Sequence, residues 1–126
     1  MVFGVGIDLI EVARVKKAVL NNNTFLNKVY GNQELNKCEN INNKYQCLAA
    51  RFAGKEAFMK ALGSGWSEGI KWSEVEIIND QLGKPVLSLS GKALELVNQL
   101  EINRMNISLT HINDFASAIV ILETGD

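Results

Sequence analysis

KYQCLAARFAGKEAFMKAL, residues Lys44–Leu62, is the strongest helical segment of this chain, and Gly63 and Gly65 follow it in the way glycine ends helices. At about 100° per residue, Tyr45, Leu48, Ala49, Phe52 and Met59 gather on one face of that helix. Glu56 falls near the middle of the same face, within roughly 40° of Phe52 and Ala49. An ionised carboxylate in a packed interface is costly unless it is paired or bound to a metal. Two explanations stand, a metal ligand or a buried ion pair with Lys60 four residues on.

Upstream, Val2–Ile10 alternates as a strand does. Phe3, Val5, Ile7 and Leu9 make one apolar face, and Gly4, Gly6 and Asp8 point the other way. Two glycines beside an acid suggest that something bulky approaches the backbone there. Asp8 reads either as a second metal ligand or as a cap for the helix predicted over Glu11–Leu20, whose apolar stripe is Val12, Val15 and Val19. Arg14 and Lys17 lie roughly opposite that stripe, facing outward.

Short helices are predicted over Thr24–Tyr30 and Asn32–Cys38. Strands are predicted over Trp72–Asn79 and Val86–Leu89, joined by the turn Asp80–Pro85. A helix over Gly91–Glu101 and strands over Asn106–Ile112 and Ala116–Glu123 complete the chain. Strands and helices do not alternate regularly. This implies an α+β fold, one domain over residues 1–126 with an antiparallel sheet and one long helix.

The composition supports a packed core, since 47% of the 126 residues are hydrophobic. Thirteen Lys and Arg against fourteen Asp and Glu leave a net charge of −1, which gives no support to general nucleic-acid binding. No stretch approaches the ~20 apolar residues of a membrane span. The first residues lack the basic segment of a signal peptide, and Asp8 interrupts their apolar run. A cytoplasmic protein follows, with Cys38 and Cys47 as reduced thiols.

Asp8 and Glu56 together suit one hard cation. Mg²⁺ takes one or two protein carboxylates and leaves its other positions to water and substrate phosphate. Zinc does not fit one histidine and two scattered cysteines. Arg51, Lys55 and Lys60 share the long helix with Glu56 and suit phosphate oxygens, although a charged run is also what a solvated helix face shows. Gly63 and Gly65 offer backbone N–H groups to a phosphate, or are a plain helix stop.

These segments resemble a known family. Gly6-Ile7-Asp8-Leu9-Ile10-Glu11-Val12-Ala13-Arg14 is similar to the first motif of the holo-acyl-carrier-protein synthases. Arg51-Phe52-Ala53-Gly54-Lys55-Glu56-Ala57-Phe58-Met59-Lys60-Ala61-Leu62-Gly63 is similar to their second. Gly83-Lys84-Pro85, and Ser108-Leu109-Thr110-His111 with Phe115-Ala116, match two further segments, so the resemblance covers nearly the whole chain. It implies a Mg²⁺-dependent enzyme that moves phosphopantetheine from coenzyme A to a serine of acyl carrier protein, releasing adenosine 3′,5′-bisphosphate. It further implies a homotrimer with active sites between subunits.

By the same resemblance, Asp8 and Glu56 hold the metal and Lys60 lies close to the reacting phosphates. Arg51, Gly83, Lys84, Pro85, Thr110 and His111 lie near the nucleotide, contributed from a neighbouring subunit. Arg14 grips the acidic carrier protein, and Lys17, on the same outward side of its helix by spacing, can face that partner too. Glu56, directly or through a water, is the expected base, with His111 second. His111 also reads as a structural histidine, Phe115 replaces a common Tyr, and Gly54 is an unusual residue inside a helix. A Mg²⁺ enzyme of other phosphate chemistry, and a non-catalytic assembly domain with salt-bridged acids, are the competing readings.

Overall fold

The structure, a computed structural model, describes residues 1–63 and 68–125. Strand β1 (Val2–Glu11) leads directly into α1 (Val12–Asn21), followed by α2 (Phe25–Val29), α3 (Asn32–Cys38) and the long α4 (Lys44–Leu62). After a 3₁₀ turn at Trp72–Glu74 come β2 (Val75–Asn79), β3 (Pro85–Leu89), α5 (Gly91–Gln99), β4 (Ile102–His111) and β5 (Phe115–Thr124). Three antiparallel strands form one sheet in the order β1-β5-β4, and β2 pairs with β3 in a second. The α+β class with antiparallel pairing stands as expected.

Two strand starts differ from the sequence reading by three residues or more, and the other boundaries by at most two. The strand expected from Trp72 begins at Val75, because Glu74 Oε1 accepts the N–H of Lys71 at 3.2 Å and closes a turn there. The strand expected from Asn106 begins at Ile102, where pairing with β5 passes through an irregularity between Ile102 and Arg104. Such a bulge absorbs a residue that breaks alternation.

Helix α4 is the centre of the molecule and is not amphipathic. It packs on β1, β5 and β4 on one side and on α1, α3 and β2 on others. Ala49, Ala53, Ala57 and Phe58 are fully buried around its circumference. Gly4 and Gly6 explain how β1 approaches so closely. A Cβ on Gly4 would stand 1.9 Å from the carbonyl oxygen of Ala61, and one on Gly6 would stand 1.8 Å from that of Ala57. The bulky neighbour of the two glycines is therefore the backbone of α4. Gly54 has a matching reason, since a Cβ there would meet Ile77 Cδ1 at 2.5 Å.

The cysteines correct the sequence reading. Cys38, ending α3, is disulfide-bonded to Cys47 near the start of α4, with Cα atoms 5.5 Å apart. A short turn folds the two helices side by side, a proximity that the spacing of nine residues does not reveal.

Candidate active site

Asp8 points to α4 because it continues the inward row of Gly4 and Gly6 on β1. Its backbone is held from β5, where Ser117 Oγ donates to Asp8 O at 2.8 Å. From the last turn of α4, Lys60 Nζ donates to Asp8 Oδ1 at 3.1 Å and to Ile7 O at 3.0 Å. The lysine is half exposed while the aspartate is largely covered, at 54% and 16%.

Glu56 lies one turn before Lys60. Phe52, Glu56 and Lys60 form the least buried line of α4, whereas Ala53, Gly54 and Lys55 are buried. This corrects the expectation of Glu56 in mid-interface. The face chosen by apolar spacing was not the most covered one, because neighbours surround the helix. Two hard carboxylates on adjoining elements, beside a cation, fit the donor set that Mg²⁺ takes from proteins.

Lys55 does not belong to a phosphate site. It is fully buried, donates to Glu34 Oε1 at 2.7 Å and to Trp72 O at 3.2 Å, and makes a further bond to Val75 O. All three ammonium protons are used within the fold. Glu34 in turn accepts from Ile77 N at 2.9 Å and Gly31 N at 3.1 Å. Burial pushes the Glu34 carboxyl up and the Lys55 ammonium down, each against the pull of the other's charge. Sequence reasoning missed Glu34 entirely, since nothing in Asn32–Cys38 marks one acid as buried.

Arg51 is also buried, and desolvation lowers its pKa. Its Nη2 donates to Asn79 Oδ1 at 2.7 Å, and Asn79 Nδ2 donates to Gly83 O at 2.8 Å. Arg51 and the exposed Gly83-Lys84 turn, which leads into Pro85 of β3, are thereby joined through one side chain. Asp80 shapes that turn, its Oδ1 accepting the N–H groups of Leu82 and Lys84, both at 2.9 Å. An Asp three residues before a Gly signals such a turn, and the sequence did locate it.

The remaining candidates lie elsewhere. Gly63 caps α4 at φ 96° and spends its N–H on Met59 O at 2.9 Å, so it serves the helix stop. Gly65 lies outside the described residues. Thr110 and His111 are exposed at the end of β4, lining a cavity of about 210 Å³ with Leu9 and Phe115. His111 Nε2 is 3.4 Å from Asn43 Nδ2, just before α4 begins. From Asn43 to Lys60 the helix rises about 25 Å. Across the sheet His111 pairs with Ala116 and Ala116 with Ile10, so His111 lies two strands and two residues, roughly 12 Å, from the Asp8 that Lys60 contacts.

Arg14 and Lys17 are exposed on α1, opposite the buried Val12 and Val15. Arg14 edges a cleft of about 200 Å³ with Ile10, Val15, Ala18, Phe25 and Phe52. Phe52 belongs to the same open line of α4 as Glu56 and Lys60, one turn before Glu56.

Residues 4–120 match the family profile described as the 4′-phosphopantetheinyl transferase superfamily. The chain is 41% identical over 124 residues to a holo-[acyl-carrier-protein] synthase of Geotalea daltonii, covering 98% of this chain and 99% of that protein. It is 44% identical over 124 residues to one of Trichlorobacter lovleyi, covering 98% of each. Among solved structures, the holo-[acyl-carrier-protein] synthase of Neisseria meningitidis superposes with a TM-score of 0.88 at 27% identity, covering 98% of this chain and 100% of that one. That of Bacillus anthracis in complex with CoA (3′,5′-ADP) superposes with a TM-score of 0.81 at 31% identity, covering 99% of each.

Proposed function

This chain belongs to the 4′-phosphopantetheinyl transferase superfamily, and on that premise we propose that it is a holo-acyl-carrier-protein synthase serving fatty acid biosynthesis. It transfers the 4′-phosphopantetheine group from coenzyme A to a serine of acyl carrier protein. The observation that carries this reading is the seam between β1 and α4. There Asp8 and Lys60 meet at 3.1 Å, one turn from Glu56, in a chain alike from end to end to proteins of that name.

In the reaction, the serine Oγ attacks the β-phosphorus of the coenzyme A pyrophosphate. A new O–P bond forms, and the P–O bond to adenosine 3′,5′-bisphosphate breaks with its electron pair on the leaving oxygen. Glu56 takes the serine proton, with His111 the second candidate. Lys60, held at Asp8, faces the charge that develops on the leaving bisphosphate. Asp8 and Glu56 would hold Mg²⁺, which when bound neutralises phosphate oxygens. Arg14 and Lys17 attract the acidic carrier protein. Arg51 with Gly83, Lys84 and Pro85, and Thr110 with His111, take the nucleotide.

Assembly as a homotrimer completes the site. The outer face of the three-stranded sheet carries Phe3, Val5, Ile7 and Leu9, with Ile7 at 62% and Leu9 at 67% exposure in the single chain. Ile119, beside Ile7 in the register, extends the patch. A contiguous apolar surface of this kind marks an interaction site. We place the reaction in the cytoplasm. Among the described residues no helix is long and apolar enough to cross a membrane.

Intact mass of a purified acyl carrier protein tests the proposal, after incubation with this protein, coenzyme A and Mg²⁺. The expected result is a gain of one phosphopantetheine group that is lost when the metal is chelated. A carrier protein of unchanged mass under all conditions would sink it.

A further inference from the structure

Arg51 is buried, yet its guanidinium is only partly engaged. Nη1 stands 3.4 Å from Cys47 Sγ and 3.5 Å from Cys47 O, both long contacts, and among the described residues Nε has no hydrogen-bond partner. The short bond is the one to Asn79, at 2.7 Å. A charged donor removed from water is costly to leave loose, so Asn79 is the residue that decides where this guanidinium points.

Asn79 ends β2, next to the turn that begins at Asp80. Its amide has one possible orientation here. The guanidinium offers only donors and the Gly83 carbonyl only acceptors, so Oδ1 must face Arg51 and Nδ2 must face Gly83. Asp80 holds the turn from within through Leu82 N and Lys84 N, and Asp80 N donates to Lys84 O at 2.8 Å. Those bonds shape the turn but do not attach it to α4. The Asn79 side chain makes that attachment.

We propose that Asn79 is a positioning residue for the nucleotide part of coenzyme A, setting the Gly83-Lys84-Pro85 turn in register with the Arg51 guanidinium. This rests on the coenzyme A reading above and extends it to a side chain outside the motifs that suggested it. Without Asn79, Arg51 loses the short bond at 2.7 Å and the Gly83 carbonyl loses its anchor. The nucleotide would then have to order both on binding, and affinity falls through lost preorganisation.

Calorimetric titration with adenosine 3′,5′-bisphosphate, with steady-state transfer to acyl carrier protein, tests this on the wild type, Asn79→Ala and Asn79→Ser. Neither substituent spans both partners, and Ser guards against a folding failure of Ala. Both variants should bind the nucleotide about tenfold more weakly and show a similar rise in KM for coenzyme A. Their kcat and KM for carrier protein should stay within about twofold, the pattern of lost ground-state binding. Unchanged nucleotide affinity, or a loss confined to kcat, overturns the positioning role. A wild type that binds the bisphosphate but leaves the carrier unmodified overturns the transfer reading instead. The calorimetry then still decides the role of Asn79.

Discussion

Lys60 bridges the two elements that make the site, its ammonium 3.1 Å from Asp8 Oδ1 and 3.0 Å from the carbonyl oxygen of the preceding Ile7. With the lysine half exposed, this pair belongs with surface ion pairs, which contribute at most about 1 kcal/mol. Lys60→Ala should therefore melt within a few degrees of the wild type. It should lose about 10²–10³ in kcat, as removal of a transition-state charge stabiliser does. Thermal melts and carrier loading measured on the same preparation check both halves. A large drop in melting temperature would make the pair structural.

Glu56→Gln separates metal binding from folding. The variant keeps shape, removes the charge, and should abolish most turnover. Its ligand-free melting temperature should match the wild type or exceed it slightly, since functional groups often cost stability. Mg²⁺ with coenzyme A should raise the melting temperature of the wild type by mass action, and of the variant much less.

The buried pair Glu34–Lys55 should behave in the opposite way. Lys55→Met leaves Glu34 as an uncompensated buried acid and should cost about 3–5 kcal/mol in urea unfolding. Adding Glu34→Gln keeps an acceptor for Ile77 N–H and should recover most of that loss.

The same pair predicts a pH profile. Glu34, raised above 4.5 in the fold, adds stability that is present below 4.5 and lost as pH rises through its folded value. Lys55, lowered from 10.5, adds stability present above 10.5 and lost as pH falls through its folded value. The advantage of the wild type over the double variant should thus be smallest near neutral pH and grow toward both ends. A difference independent of pH would refute the burial argument.

The outward sheet face gives a prediction about assembly. Ile7→Glu with Leu9→Glu places charge where each side chain is more than half exposed in the single chain, so the monomer should still fold. Light scattering should show loss of the oligomer, and carrier loading should fail with it. An active monomer would remove the need for a shared site.

The Cys38–Cys47 bond closes a short loop, and its reduction should lower stability by roughly 2–3 kcal/mol. Urea unfolding with and without a dithiol reductant measures this, with alkylation and mass reporting the thiol state. Alkylation in cell extracts shows whether the bond survives cytosolic thiols, which ordinarily keep cysteines reduced.

Much of this protein was legible in local pattern. Alternation along Val2–Ile10 put Gly4, Gly6 and Asp8 on one face, and helical spacing put Glu56 one turn from Lys60, because both periods are properties of the backbone alone. The turn at Asp80–Pro85 was readable from its Asp and Gly for the same local reason. Tertiary structure decided which faces are covered. The apolar side of β1 turns outward and the glycine side inward, because the backbone of α4 can approach only where no Cβ stands in the way. Lys55 and Glu56 are adjacent in sequence. One is consumed by Glu34 and the other lies on the open line of α4, since a helix packed on several sides buries its residues according to its neighbours. The disulfide, the Asn79 bridge and the distance from His111 to Lys60 likewise depend on where separate elements come to rest. Burial and pairing are relations between segments distant in sequence, and no period within one segment encodes them.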